Sequence, residues 1–226
     1  MIHLEHIFAA NLRFDTEVQY LAQRGARSRY ENLPILKSGC TTLCALTSLL
    51  QCAAMLARQP RRELLAKRRD VRKVLQASQP ISDQMMLDGV KALDASLAAE
   101  VLHSQGAAEI GTAALASIQS GNPCLLLYET VELQRWACVV GVEAQRHSQR
   151  ARALLLLDSS GSEPWACGHN ARIELHATAG KSVRTSAGFM LNCRHLTGEA
   201  CAVRLHRLIV LTRSATSLAP MAATAS

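Results

Sequence analysis

A cysteine that could act as a nucleophile stands at the start of the first long apolar segment. Cys40 follows Gly39 and opens a run of small and apolar residues that extends to Arg58. This run is apolar on nearly every face, so we predict a buried helix with Cys40 in its first turn. The positive end of a helix dipole lowers the pKa of a thiol and favours the thiolate. Cys40 is therefore a candidate nucleophile; the alternative interpretation is core packing.

Two charged residues in the second half of the chain could complete such a site. Arg135 begins the apolar run WACVVGV, and Asp158 ends the apolar run ALLLL. The polar segment 145–149 between these runs predicts a hairpin, which would place Asp158 across from Arg135. The alternative role for Asp158 is that of a turn former together with Ser159 and Ser160.

The surrounding elements change character along the chain. Apolar spacing and capping residues predict helices early in the chain, including one that starts near Ser82. Short apolar runs bounded by turn residues predict buried strands later. The expected helices are 15–26, 40–58, 83–93 and 111–119, and the expected strands are 98–103, 124–128, 136–142, 153–157, 173–176, 188–193 and 202–212. This order predicts an α+β fold, with N-terminal helices and a central buried helix packed on a mostly antiparallel sheet.

The order of these segments resembles the papain-like cysteine peptidases that process bacteriocins with double-glycine leaders, a bacterial family. The matching stretches lie within residues 34–165 and are GCTTLCALTSLL, IQSGNPCLLLYET, RWACVVGVE and ALLLLDSSG. The resemblance implies a papain-like fold, in which a cysteine opens the central helix and a histidine and an aspartate follow on the sheet. The positions that match this catalytic set are Cys40, Arg135 and Asp158.

Three residues depart from the family pattern. Arg135 stands where the family has histidine, Pro34 where it has the oxyanion-hole glutamine, and Thr41 where it has glycine. A guanidinium stays protonated at biological pH, so it cannot take a proton from a thiol. Losing a general base costs about two to four orders of magnitude in rate. The resemblance therefore implies a degenerate peptidase, a pseudoenzyme that binds a peptide or a partner protein in the former active-site cleft.

Other readings of the reactive residues stay open. The chain could be an active cysteine peptidase that uses Cys40 with an unrecognised base, and His169 is the candidate base. Cys40 with Cys44, and Cys167 with His169, are the closely spaced pairs that we identify as candidate zinc ligands. Structural zinc sites need two well-formed pairs. We therefore predict neither a metal nor a cofactor.

A basic segment carries a large share of the net charge of +7. Residues 58–73 contain eight Lys or Arg and two acidic residues. Apolar residues recur there at helical spacing, so we predict an amphipathic helix with a basic face. Its interpretation is either a solvated surface or a contact with a polyanion, such as nucleic acid, or with a partner protein. The residues expected to make that contact are Arg61, Arg62, Arg68 and Arg69.

Composition bounds the remaining possibilities. The chain has 226 residues, of which 49% are hydrophobic and 19% charged, and this excludes wholesale disorder and coiled-coil architectures. No apolar run is long enough for a membrane span, and no secretory signal is recognisable, so we expect a cytoplasmic protein whose eight cysteines are free thiols. We predict one domain over residues 1–213 and a disordered tail over 214–226.

Overall fold

The computed structural model describes residues 16–20, 41–56, 61–76, 80–103, 106–145, 148, 150–161, 168–175, 184–185, 188–189 and 191–213. Its helices are α1 (Thr41–Leu56), α2 (Arg61–Ala66), α3 (Arg68–Leu75), α4 (Asp83–Leu93) and α5 (Ala107–Gln119). Its strands are β1 (Thr16–Tyr20), β2 (Leu97–Leu102), β3 (Cys124–Glu129), β4 (Gln134–Gln145), β5 (Ala151–Leu157), β6 (Ala171–Glu174), β7 (Arg184–Thr185), β8 (Gly188–Phe189), β9 (Leu191–His195) and β10 (Ala200–Arg213). The predicted nucleophile Cys40 and the predicted tail 214–226 lie outside the described residues.

Most of the elements expected from local pattern are present, with some differences in type and extent. The start of α4 is confirmed, because the side chain of Ser82 accepts a hydrogen bond from the backbone N–H of Met85. The helix expected over 15–26 is wrong, because Thr16–Tyr20 is a strand that pairs with β4. The basic helix is divided at Lys67 into α2 and α3.

Six strands form a closed antiparallel barrel. Strand β4 pairs with β3, β3 with β10, β10 with β9, β9 with β6, β6 with β5, and β5 pairs again with β4. Strand β1 adds to β4 and strand β2 adds to β10, while β7 and β8 form a separate pair. All of the described pairings are antiparallel.

The prediction of a papain-like α+β fold, with a central helix packed on a sheet, is therefore wrong. Closure depends on the two longest strands, which each pair with three others. The first part of β10 pairs with β9 and the rest with β3 and β2. The register of β10 shifts between Leu205 and Arg207, and that of β4 shifts between Val139 and Gly141. Such irregularities bend a strand and increase its twist, which lets the sheet curl onto itself.

The apolar runs in β3, β4 and β5 are buried on both faces. In β4 every residue from Trp136 to Val142 is buried. One face of the strand points into the barrel, and helices α1 and α5 contact the strand from outside. The hydroxyl of Ser48 in α1 donates a hydrogen bond to the carbonyl of Trp136 at 3.0 Å, and Cys52 Sγ lies 3.0 Å from Cys138 Sγ. Both surfaces of the strand are thus shielded from water, so its sequence shows no polar alternation.

None of the helices within the described ranges is long and apolar enough to cross a membrane.

Candidate functional site at the barrel mouth

The strand register brings ionisable side chains to one end of the barrel interior. Residues directly opposite each other on antiparallel strands share a face of the sheet. Tyr128 at the end of β3 is opposite Arg135 at the start of β4. Asp158 directly follows strand β5, two residues beyond Leu156 and on the same face of the sheet. Leu156 pairs with Ala171, and Ala171 pairs with His195.

The last strand pair completes the same end. Cys193 on β9 is directly opposite Cys201 at the start of β10, and His195 is two residues after Cys193 on the same face. We call this end of the barrel the mouth, defined by Tyr128, Arg135, Asp158, Cys193, His195 and Cys201. Every barrel strand begins or ends there, so residues far apart in sequence become neighbours.

The carboxyl group of Asp158 is held by three donors. Its side chain is fully buried, and the Tyr128 hydroxyl donates a hydrogen bond to its Oδ2. The backbone N–H and the hydroxyl of Ser160 both donate to its Oδ1 at 2.8 Å. Burial, followed by the negative charge of Asp158, raises the pKa of Tyr128 well above its ordinary value. The tyrosine is thus kept as a hydrogen-bond donor.

The backbone of Asp158 is fixed by the side-chain amide of Asn170. The Asp158 N–H donates to Asn170 Oδ1, and Asn170 Nδ2 donates to the Asp158 carbonyl, both at 2.7 Å. Asn170 is itself buried and precedes β6. This pair of bonds attaches the end of β5 to the start of β6 and sets the direction of the Asp158 side chain.

Two thiols and an imidazole form a compact cluster in the mouth. One ligand-type atom each from Cys193, His195 and Cys201 lies within 4.8 Å of the other two. Cys193 is buried, whereas Cys201 and His195 are partly exposed. Hydrogen bonds from Cys193 and then from His195 lower the pKa of Cys201 to about 5. The hydrogen bond with Cys201 raises the pKa of His195. Cys201 is therefore a thiolate at neutral pH.

Arg135 supplies positive charge to the cluster. Its guanidinium favours the thiolate of Cys201 and so lowers the pKa of that thiol. This effect is smaller than those of the two hydrogen bonds and of the His195 charge. The donor set of two cysteines and one histidine is chemically suited to zinc. A cation placed between these side chains would be repelled by the positive charge of Arg135.

The sequence-predicted residues have different outcomes. Arg135 and Asp158 lie at the same mouth, on neighbouring strands. In the helix that Cys40 was expected to open, the thiol nearest to the mouth residues is Cys44, whose Sγ accepts a hydrogen bond from the Trp136 N–H at 3.3 Å. Burial raises the pKa of Cys44 to about 11, so it is a poor nucleophile. The alternative base His169 is engaged through Nδ1 with the Tyr20 hydroxyl at 2.8 Å.

The two weak zinc pairs each include a residue outside the described ranges, Cys40 or Cys167. The thiol–imidazole cluster was missed from the sequence. Its signal is the alternation Cys193-Arg194-His195, which places a thiol and an imidazole on one face of a strand. A turn closed by Gly198, whose φ is +90°, follows. Reading this stretch as a hairpin would have set Cys201 opposite Cys193.

The basic segment shows an exposed face. Val71 and Leu75 of α3 are buried, while Arg62, Arg69, Arg72 and Lys73 are exposed and Arg68 is half-buried. The helical geometry predicted for this segment is confirmed for α2 and α3, although it is divided at Lys67, and residues 58–60 lie outside the described residues. Its binding role stays a prediction.

No protein-family model matches the sequence, and no curated protein shows significant similarity to it.

Proposed function

We propose that the chain carries out thiol–disulfide exchange, with Cys201 as the attacking thiolate and Cys193 as the resolving thiol. The observation that carries the proposal is the direct opposition of these two residues on β9 and β10, with only Cys201 reachable from solvent. Directly opposite residues of an antiparallel pair have Cα atoms about 4.5–5.5 Å apart. That separation lies within the range of protein disulfides, about 4.4–6.8 Å.

The reaction proceeds in two exchanges. The Cys201 thiolate attacks one sulfur of a low-molecular-weight disulfide, forming a mixed disulfide and releasing the other half as a thiolate. Cys193 then loses its proton, attacks Cys201 Sγ and releases the second half, leaving a Cys193–Cys201 disulfide. The small disulfide is reduced to two thiols, and the protein dithiol is oxidised. The same steps run in reverse when a reduced small thiol is in excess.

His195 stabilises the thiolate in the first exchange and transfers protons in the second. As an imidazolium it stabilises the Cys201 thiolate, because its charge and its hydrogen bond both lower the pKa of that thiol. Once Cys201 is part of the mixed disulfide, it no longer carries the negative charge that kept His195 protonated. His195 can then release its proton to the departing thiolate and accept the proton of Cys193.

A Cys193→Ser variant tests the division of roles. The first exchange needs only Cys201, so the variant should accumulate a mixed disulfide at Cys201 when it is mixed with oxidised glutathione. The unmodified chain should instead form the internal disulfide. Intact-mass measurement and peptide mapping distinguish the two products. Finding the glutathione adduct on another cysteine, or no internal disulfide in the unmodified chain, would refute the assigned roles.

The exposed basic face of α2 and α3 supports a second candidate function, contact with a polyanion. Arg62 and Arg69 are exposed there, and Arg72 and Lys73 continue the basic face at the surface of α3. We expect retention on a phosphate resin to fall steeply with salt, and to drop when Arg62 and Arg69 are replaced by Gln. Replacing Arg150 and Arg194, away from this face, by Gln is the charge-matched control. Equal retention of the two variants would contradict a role for α2 and α3.

The peptide or protein ligand expected from the sequence stays a prediction, but the barrel no longer supplies the papain-like cleft on which it relied.

A further inference from the structure

We infer that Arg135 selects disulfides that carry carboxylate groups, so that the substrates of the barrel mouth are anionic small disulfides and thiols. The inference rests on the proposed exchange function and names its substrate class. It assigns Arg135 a binding role, in which the guanidinium pairs with a substrate carboxylate beside the attacked sulfur.

The position of Arg135 makes it available to a ligand. It lies at the start of β4, opposite Tyr128, with its side chain half-buried at the mouth. Within the described part of the chain, no carboxylate oxygen lies within 4.0 Å of its guanidinium. A partly buried cation without an anion partner is unfavourable, so a ligand carboxylate would supply a missing interaction.

The acidic group at the same mouth is already engaged. Asp158 accepts hydrogen bonds from Tyr128 and Ser160, and its backbone is fixed by Asn170. Its carboxyl group is therefore engaged by other donors, and it forms no ion pair with Arg135 among the described residues. Elsewhere on the barrel a comparable arginine is satisfied within the protein. Arg172 pairs with Glu143 at 2.7 Å and with Glu174 at 2.6 Å. Arg135 thus differs from Arg172 in lacking such partners among the described residues.

Arg135 lies at the same mouth as the reacting thiol, because the strand register brings the start of β4 and the start of β10 to one end of the barrel. Its charge acts on Cys193, His195 and Cys201. A carboxylate bound by the guanidinium would place the rest of a small disulfide next to the Cys201 sulfur. Arg135 transfers no proton in this scheme, because a guanidinium stays charged throughout. It contributes by holding the substrate in place.

The test compares two disulfides on three proteins. Oxidised glutathione carries carboxylates, whereas bis(2-hydroxyethyl) disulfide is neutral. Exchange rates are measured with the unmodified chain, with Arg135→Gln and with Arg135→Lys. We expect Arg135→Gln to slow exchange with oxidised glutathione about ten-fold more than exchange with the neutral disulfide, the effect of one charge-assisted hydrogen-bonded pair. Arg135→Lys keeps the charge but not the two-pronged geometry, so it should retain part of the preference.

The controls separate this inference from the proposed function. Arg194 precedes His195 on the opposite face of β9 and is exposed, so Arg194→Gln removes the same charge outside the mouth and should leave the preference unchanged. Arg135 also lowers the pKa of Cys201, and the loss of this effect in Arg135→Gln changes the rates with both disulfides alike, so it cancels in the ratio of the two rates. An unchanged ratio in Arg135→Gln, with exchange at Cys201 still present, overturns the substrate class alone. Absence of exchange at Cys201 with either disulfide overturns the proposed function itself.

Discussion

Replacing Cys201 by Ser is expected to lower the rate at which the whole chain reacts with a small disulfide about ten-fold at pH 6. At that pH a thiol with a pKa of about 5 is mostly ionised, whereas an ordinary cysteine with a pKa of about 8.5 is about 0.3% ionised. The lower intrinsic nucleophilicity of an acidic thiol offsets a large part of this roughly 300-fold advantage, which leaves about ten-fold. The measurement is the release of the small thiol under pseudo-first-order conditions.

The matched control for this result is Cys44→Ser. Cys44 is buried and its pKa is raised to about 11, so its loss should not change the rate. The pH dependence provides an independent readout. Because the pKa of Cys201 is lowered, its reaction should be sustained as the pH falls from 8 to 6 and should decline only as the pH approaches 5. A Cys201→Ser chain that keeps most of the reactivity at pH 6 would show that another of the eight cysteines is the reactive thiol.

Replacing Asp158 by Ala should lower the free energy of unfolding by about 2–4 kcal/mol, since it deprives one buried and two part-buried donors of their acceptor. The Tyr128 hydroxyl and both Ser160 donors bond to the carboxyl group. The truncation also leaves a small cavity in a closed barrel, which adds to the cost. Urea unfolding followed by circular dichroism measures the change through the midpoint at constant slope.

Asp158→Asn distinguishes the hydrogen bonds from the cavity, because it keeps the size of the side chain and one acceptor oxygen. It should be less destabilising than Asp158→Ala. The surface control is Asp70→Ala, which removes an exposed carboxylate 3.6 Å from Lys73 Nζ and should cost less than about 0.5 kcal/mol. If Asp158→Ala and Asp70→Ala have equal stability, the buried network at the mouth does not contribute to the fold as the structure indicates.

Local pattern was sufficient for the strands but not for their closure. The apolar runs in β3, β4 and β5 predict buried strands because the residue types along a strand indicate whether it is buried. They do not indicate which other strand it pairs with. The spacing of apolar residues in β10 does not predict that this strand pairs with β9, β3 and β2. The pairings with β9 and β3 are needed to close the barrel. The resemblance to papain-like peptidases was carried by the same apolar runs, which suit either architecture.

The site was predicted in part for the same reason. Arg135 and Asp158 were identified because each borders an apolar strand, and the structure brings both to the mouth. The thiol–imidazole cluster was missed because the strands were expected over 188–193 and 202–212. Those limits separate Cys193 from His195 and leave Cys201 in a loop. The observed hairpin extends through His195 and resumes at Ala200, so strand ends displaced by two residues concealed the reactive pair.

Strand β10 is the last of the described strands to be synthesised, and this affects how the barrel can fold during synthesis. Its residues 208–213 pair with residues 97–102, a separation of more than one hundred positions along the chain. Contacts of such long range form slowly, because a large loop must close first. On the ribosome, β3 and β9 have an open edge until β10 has emerged, and such edges are prone to pairing with other chains. Cys201 begins that same strand, and its acidity depends on Cys193 and His195 across the β9–β10 hairpin, so it appears only when β10 has paired with β9. The ionisation of one thiol at pH 6 would therefore report the pairing of β9 with β10.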